Sequence, residues 1–146
     1  PQNYKLADYW FEKAAKQGFA DGEYGIGMAY YRGFGVRQNY KLADYWFEKA
    51  AKQGLPAGED GIGMAYYKGF GVPQNYKLAD YWFEKAAKQG LARAEFDLGY
   101  LYIYGRGVPQ NTKTAIYWWR KSAKHGGLYG QKAKQNIDIF ERTIEK

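Results

Sequence analysis

One string of eighteen residues occurs three times in this chain of 146 residues. It reads PQNYKLADYWFEKAAKQG at 1–18, reappears at 37–54 with Arg37 in place of the first proline, and reappears unchanged at 73–90. The copies begin at residues 1, 37 and 73, so the repeat period is 36 residues. Periods of roughly 20 to 50 residues are typical of chains in which one supersecondary unit is stacked on the next. We therefore expect a repeat protein in which each unit buries its apolar face against its neighbours.

The repeated string has the pattern of an amphipathic helix, which we call helix B. It follows an asparagine, whose side chain can accept a hydrogen bond from the unpaired N–H groups at a helix N-terminus. It is predicted to end at a glycine, because glycine readily takes the left-handed conformation that closes a helix. The predicted caps are Asn3, Asn39, Asn75 and Asn111 at the start and Gly18, Gly54 and Gly90 at the end. The apolar residues of the first copy are spaced for one helix face and are Ala7, Trp10, Phe11, Ala14 and Ala15.

A second helical pattern, helix A, covers about 20–32, 56–68 and 92–104. Its inner face carries Gly27, which recurs as Gly63 and Gly99. A glycine inside a helix costs about 1 kcal/mol relative to alanine, so we expect a close helix–helix approach at this position. Glycine turns such as Gly33-Phe34-Gly35-Val36 connect helix A to the next helix B, and no strand pattern is found. The sequence therefore predicts an all-α solenoid of helix–turn–helix units.

Two segments of each repeat resemble the Sel1-like repeat family, which is related to the tetratricopeptide repeats. IGMAYYRGFGV at 26–36 is similar to the family pattern Leu-Gly-x-x-Tyr-x-x-Gly-x-Gly-Val. ADYWFEKAAKQG at 7–18 is similar to Ala-x-x-Trp-[Phe/Tyr]-x-x-Ala-Ala-x-x-Gly. Both segments recur in register as far as AIYWWRKSAKHG at 115–126, although Ile replaces the usual Leu in two copies and Ser122 replaces an Ala.

This resemblance implies a right-handed α/α superhelix that spans 1–146 as a single solenoid. In the family's register the chain holds a lone helix B at 1–18, repeats at 19–54, 55–90 and 91–126, and a C-terminal capping helix within 127–146, at about 128–145. The last segment lacks the family signature, and its polar residues suit the cap that a solenoid needs for solubility. Because the chain starts inside a repeat, we expect it to be part of a longer protein.

The nearly identical copies of helix A differ mainly on one face. Between 19–36 and 55–72 five positions change, and those at 21, 24 and 32 lie on one side of a 3.6-residue helix. In tetratricopeptide-like arrays this face lines a concave groove, so the resemblance implies that a peptide or partner protein binds there. The alternative is that its methionines and tyrosines pack against the next repeat. We call the predicted binding residues the helix A stripe; they are Asp21, Tyr24, Met28, Tyr31, Arg32, Asp60, Met64, Tyr67, Lys68, Arg93, Phe96, Tyr100, Ile103 and Tyr104.

No set of residues with a catalytic or metal-binding pattern stands out. The chain has no cysteine and a single histidine, His125, which lies in the last turn of a helix where a cation suits the dipole. Asp8 and Glu12 are an i, i+4 acid pair, but repetition of the pair beside lysines is typical of a solvated surface. We therefore predict a non-catalytic protein without cofactor or metal, which binds another protein or peptide.

Two other functions remain open. The net charge of +7 and a ladder of lysines on helix B fit a polyanion such as nucleic acid, although glutamates interrupt the ladder and nucleic acid is the less favoured partner. The ladder consists of Lys13, Lys49, Lys85, Lys121, Lys16, Lys52, Lys88 and Lys124. The chain could instead be a structural segment of a larger or engineered repeat protein. The sequence contains no membrane span, and we expect a soluble bacterial protein of the cytoplasm, the periplasm or the secreted fraction.

Overall fold

A computed structural model describes residues 3–145 and the side chains as far as Thr143. The described residues form eight α-helices and no strand, and each helix packs on the next within two compact units. Unit 1 is Pro1–Asn75 and unit 2 is Tyr76–Lys146. The all-α repeat fold expected from the sequence is confirmed.

Unit 1 contains two copies of helix B and two of helix A. They are α1 (Tyr4–Lys16), α2 (Ala20–Arg32), α3 (Tyr40–Lys52) and α4 (Pro56–Lys68). The predicted N-caps Asn3 and Asn39 are confirmed, since the side chain of each accepts a hydrogen bond from a backbone N–H three residues on, at 3.0 Å. Gly18 and Gly54 follow the ends of α1 and α3 with φ angles of 83° and 84°, as the predicted helix ends require.

The core of unit 1 forms where helix A passes close to helix B. Ile26 and Ala29 of α2 pack with Ala15 of α1, and Trp46 of α3 lies against this cluster. A Cβ placed on Gly27 would lie 2.8 Å from the ring of Phe47, which confirms the predicted close approach. The glycine therefore lets the large Phe47 ring be buried directly against the backbone of α2.

Unit 2 has the same alternation and ends in a longer helix. Its helices are α5 (Tyr76–Lys88), α6 (Ala92–Tyr104), α7 (Thr112–His125) and α8 (Gly127–Glu145). Trp119 of α7 lies fully buried against Gly99 of α6, and its indole N–H donates a 3.0 Å hydrogen bond to the carbonyl of Phe96. Trp119 is the centre of a cluster with residues of α6, α7 and α8.

The sequence predicts that the acid pair Asp8/Glu12 and its copy Asp44/Glu48 are solvated. In unit 1 the aspartate of each pair is instead buried. Asp8 and Asp44 are only 7% and 5% exposed. Asp44 lies directly against Gly71 in the glycine turn that follows α4, and Asp8 lies in the same way against Gly35. The sequence expectation was wrong here because the turn, 27 residues further along the chain in each case, covers the carboxylate. Glu12 and Glu48 face outward and pair with Lys16 and Lys52.

Among the described residues, neither a membrane-spanning helix nor a metal-binding cluster is found. No described helix is both long enough and apolar enough to cross a membrane. No group of three or more His, Cys, Asp or Glu side chains within the described part of the chain is placed to hold a metal ion.

Candidate functional site

The part of the helix A stripe on α2 is half accessible. Asp21 and Arg32, at the two ends of the helix, are exposed, whereas the three residues between them are half-buried. Tyr24 and Tyr31 lean towards α3, with the ring of Tyr24 5.7 Å from that of Phe47 and the ring of Tyr31 5.5 Å from that of Tyr40. Met28 leans the other way and lines a pocket between α1 and α2.

The stripe residues of α4 run from a buried to an exposed end. Asp60 is buried, Met64 and Tyr67 are half-buried, and Lys68 at the end of the helix is exposed. The ammonium of Lys68 lies 5.7 Å from the centre of the Phe70 ring, just as the guanidinium of Arg32 lies 5.9 Å from that of Phe34. Each helix A of unit 1 therefore ends in a cation held over an aromatic ring.

In unit 2 the stripe is covered by α8. Phe96 and Ile103 are buried, and Arg93 and Tyr100 are half-buried, while Tyr104 is exposed. Tyr129 of α8 lies 5.5 Å from the ring of Phe96, and its ring also receives the guanidinium of Arg93 at 5.5 Å.

Further along α8 a second contact holds the helix on α6. The side-chain amide of Asn136 donates a 3.1 Å hydrogen bond to the hydroxyl of Tyr100. The part of the stripe on α6 is thus occupied by a helix of the same unit. Tyr129, Asn136 and Phe140 follow one another at i, i+7 and i+11 on one face of α8, a periodicity that could have shown which side of this helix is buried.

The buried carboxylates have altered acidity. Burial raises the pKa of Asp44 to about 7, and the neighbouring Glu48 carboxylate adds to the rise. Asp80 in unit 2 is the equivalent residue, and burial together with Glu84 raises its pKa to about 6. In unit 1, burial together with the carboxylates of Glu48 and Asp44 also raises the pKa of the Tyr66 hydroxyl above its usual range. Asp44 can therefore gain or lose a proton near neutrality, beneath the turn and away from solvent.

Most lysines of the ladder are engaged by their own helix. Lys13, Lys49, Lys85 and Lys121 each lie 5.0–5.6 Å from the centres of a tyrosine ring and a tryptophan ring. Lys16, Lys52 and Lys88 each pair with a glutamate at i−4, at 3.1–3.5 Å. Lys124, at the end of α7, lines a pocket with His125. These contacts lower the number of cations available to follow a nucleic-acid backbone.

His125 has a structural counterpart in unit 1. There Gln53 donates hydrogen bonds of 2.7 Å to the buried carboxylate of Glu23 and to the carbonyl of Gly18. At the equivalent place in unit 2, Nε2 of His125 lies 3.3 Å from the buried carboxylate of Glu95. Burial raises the pKa of Glu95, and the nearby His125 opposes that rise. His125 therefore ties the end of α7 to α6, which the sequence did not reveal.

Comparison with known proteins identifies the same repeat that the packing of the helices shows. A model of the Sel1 repeat family matches residues 1–19, 20–55, 57–91 and 92–127. The chain belongs to the Sel1 repeat family. This confirms the resemblance drawn from the two sequence segments. Members of the family are generally protein-interaction scaffolds and typically non-catalytic.

Three solved structures resemble the chain. A protective antigen of uropathogenic Escherichia coli strains with an SLR fold is 36% identical, with a TM-score of 0.82 over 86% of this chain and 27% of the other. A Sel1 repeat protein from Oxalobacter formigenes is 33% identical, with a TM-score of 0.80 over 96% of this chain and 60% of the other. Cysteine rich protein B of Helicobacter pylori shares the fold at 22% identity, with a TM-score of 0.67 over 85% and 89% of the two chains.

The chain spans about a quarter and about three-fifths of the length of the first two of these proteins. All three come from bacteria. No curated protein matches the sequence.

Proposed function

We propose that the protein is a non-catalytic interaction scaffold that binds a peptide or partner protein on the helix A stripe. The observation that carries this proposal is the divergence of the stripe between otherwise near-identical repeats. The copies of helix B keep their sequence, and α3 and α5 bury the same face, with Phe47 and Phe83 only 2% and 0% exposed. Helix A differs on the side that leaves Asp21, Arg32 and Lys68 exposed in unit 1.

The contact between α8 and α6 supports this assignment. In unit 2 the stripe already carries a helix, whose Tyr129 and Asn136 meet Phe96 and Tyr100. The aromatic and polar groups of the stripe are thus suited to the amphipathic face of a helix. In unit 1 the corresponding faces of α2 and α4 are neighbours and remain half accessible.

The charges of unit 1 suggest what a partner carries. Arg32 and Lys68 occupy equivalent positions at the ends of α2 and α4, and both are exposed above an aromatic ring. A partner with acidic residues facing these two cations would form ion pairs that are partly shielded from water by the rings. Met28 and Met64 provide adaptable apolar contacts beside them.

The test starts from peptides selected from a random displayed library against the full chain. Charge reversal by Arg32→Glu with Lys68→Glu should weaken binding of the selected peptides at least tenfold, or about 1.4 kcal/mol. The matched control is Lys5→Glu with Lys41→Glu, which changes the net charge equally at exposed sites of helix B. Equal loss in both double variants would show a charge effect without a site. Full retention in the first would reject the stripe as the binding surface.

A further inference from the structure

The net positive charge of the chain lies on helix B. Its four copies, α1, α3, α5 and α7, contain thirteen lysines and arginines against six aspartates and glutamates. The rest of the chain contains nine basic and nine acidic residues, so its formal charges cancel. The net charge of +7 is therefore confined to one of the two kinds of helix, and a negatively charged partner would be drawn to that helix.

All thirteen of these cations are exposed on the outer side of helix B. In α3 the inner side consists of buried alanines together with Asp44 and Phe47, and the outer side carries three lysines. The one acidic residue on this outer side, Glu48, pairs with Lys52 at 3.5 Å. The sequences of α1 and α5 are identical to that of α3, and α7 contains no acidic residue. The outer side of every copy is thus positively charged.

Exposed apolar side chains accompany the cations. Leu42, Tyr45 and Lys49 follow one another at i, i+3 and i+7, which places them on one side of α3. The tyrosine is 49–51% exposed in all four copies, and the leucine is 38–53% exposed in three, while Thr114 replaces it in α7. We call this surface the helix B face; it consists of Leu6, Tyr9, Lys13, Leu42, Tyr45, Lys49, Leu78, Tyr81, Lys85, Thr114, Tyr117 and Lys121.

Each lysine of the helix B face lies over aromatic rings. In α3 the ammonium of Lys49 is 5.3 Å from the centre of the Tyr45 ring and 5.3 Å from that of the Trp46 ring. Rings of tyrosine and tryptophan favour the boundary between the apolar layer and the headgroups of a bilayer. Lysine side chains at that depth extend along apolar groups and keep the ammonium among the headgroups. The arrangement of ring and ammonium on this face therefore matches the layering of a bilayer surface.

Neighbouring copies of the face lie side by side in unit 1. Trp46 of α3 packs against a core cluster that contains Ala15 of α1. The ends of the same two helices are joined by Gln53, which donates a hydrogen bond to the carbonyl of Gly18. The two copies can therefore contact one extended partner together.

In unit 2 a pocket brings cations of two copies together. Its volume is about 270 Å³, and Lys88 of α5 and Lys121 and Lys124 of α7 contribute to its lining. The one acidic lining residue, Glu95, is 2% exposed and lies 3.3 Å from Nε2 of His125. Three ammonium groups around a recess of this size suit the phosphate of a lipid headgroup.

We propose that the helix B face binds the surface of a bilayer that contains anionic lipids. The lysines contact the headgroup phosphates, and the leucine and tyrosine side chains enter the layer just beneath them. Lipid binding on this face does not depend on the helix A stripe, which lies on the other kind of helix.

Nucleic acid fits the helix B face less well than a bilayer does. Bases stack on open ring faces, whereas Lys49 lies over the Tyr45 ring and Trp46 meets that ring edge-on at 5.1 Å. Exposed leucines gain nothing from a phosphate backbone. They are removed from water when the partner has an apolar layer beneath its charges.

The first test is co-sedimentation of the full chain with vesicles. Vesicles of phosphatidylglycerol and phosphatidylcholine in equal parts should bind the chain saturably, and vesicles of phosphatidylcholine alone should bind it at least ~10-fold more weakly. Added salt should weaken binding to the anionic vesicles, because exposed charges are screened. No binding to the anionic vesicles, or equal binding to both kinds, overturns the proposal.

Tryptophan fluorescence shows which side of the chain meets the lipid, because all five tryptophans belong to helix B. Trp46, Trp82 and Trp118 are half-buried, and their rings lie 5.1–5.2 Å from those of the exposed tyrosines. Phosphatidylglycerol with brominated acyl chains should therefore quench the fluorescence on binding. Binding without quenching overturns the proposal, because another side of the chain would then face the bilayer.

Two double variants separate the apolar contribution from the charged one. Tyr45→Ser with Tyr81→Ser keeps every charge and should weaken binding to the anionic vesicles at least ~5-fold, because apolar surface is lost. Lys49→Gln with Lys85→Gln should weaken it at least ~10-fold. The four side chains are exposed, so both variants should retain their helical circular dichroism.

The matched control for the lysine variant is Lys134→Gln with Arg142→Gln, which removes the same charge at exposed positions of α8. It should leave binding to the anionic vesicles nearly unchanged. Equal losses in the control and in the lysine variant overturn the proposal, because they show an effect of net charge without a site. Unchanged binding by the tyrosine variant also overturns it, and displacement of the vesicles by a single-stranded oligonucleotide would then identify nucleic acid as the partner.

Discussion

Asp44 and Gly71 illustrate how single residues hold one repeat to the next turn. The Asp44 carboxylate touches Gly71, whose φ angle of 81° belongs to the left-handed region. A side chain at position 71 would meet both the carboxylate and the backbone of Tyr40, at 2.8 Å. The turn therefore requires glycine for two reasons, conformation and space.

These two reasons can be separated by a matched pair of substitutions. Gly54→Ala tests the conformational cost alone. Gly54 has a φ angle of 84°, which disfavours a side chain, but no atom lies within 4 Å of an added Cβ. This substitution should lower the free energy of unfolding by about 1 kcal/mol. Gly71→Ala adds the steric conflict and should cost about 3 kcal/mol or more. Urea denaturation of both variants checks this, and equal losses would contradict the close contact.

The burial of Asp44 predicts a specific pH dependence. Its pKa is raised from the ordinary value of 3.8 to about 7, so the folded chain binds a proton that the unfolded chain has released. Its contribution to stability is fully present below about pH 4 and is lost as the pH rises through about 7. Asp44→Asn should flatten this part of the profile of unfolding free energy against pH.

The same substitution at Asp138, an exposed residue of α8, serves as the control for Asp44→Asn. The measurement is urea denaturation at intervals between pH 4 and 9. An Asp44→Asn profile with the same slope as the wild-type profile would contradict the assigned acidity.

At the scale of elements, α8 determines how much of the stripe is open in unit 2. It lays Tyr129 on Phe96 and Phe140 on Trp119, with ring separations of 5.5 Å in both cases. An ion pair between Arg120 and Glu141 further joins α7 to α8. The C-terminal capping helix therefore also covers part of the stripe.

Substitutions on opposite faces of α8 test this packing. Phe140→Ala removes a half-buried ring from Trp119 and should lower the free energy of unfolding by about 2 kcal/mol, somewhat below the range for fully buried rings. Ile139→Ala, on the exposed side of the same helix, should change it by less than about 0.5 kcal/mol. Tryptophan fluorescence during urea denaturation reports both changes. Similar effects of the two substitutions would show that α8 is not packed as described.

Residues close together in the sequence were sufficient to predict the helices and their ends. Asn3 and Asn39 cap their helices as expected, and Gly27 marks the close approach between helices. The burial of Asp44 and of Phe96 depends instead on residues about 27 and 33 positions away, namely Gly71 and Tyr129. Contacts between residues so far apart do not change the spacing of apolar residues within one helix. The sequence therefore predicted that Asp44 is exposed to solvent and that Phe96 is accessible to a partner.

At the scale of the whole molecule, near-identical copies of helix B form a scaffold and the divergent copies of helix A provide variation. The positions of the methionines allow binding to the stripe to be followed by experiment. Met28 and Met64 are the two methionines of the chain, and both belong to the stripe. Their methyl groups lie on α2 and α4, where the proposed partner binds.

The most direct measurement is an NMR titration of the full chain, labelled at its methionine methyl groups, with peptides selected from a displayed library. If the stripe is the binding surface, the signals of Met28 and Met64 shift in step with binding, because a bound peptide changes their surroundings directly. Binding that leaves both methyl signals unchanged would show that the peptides bind away from the stripe.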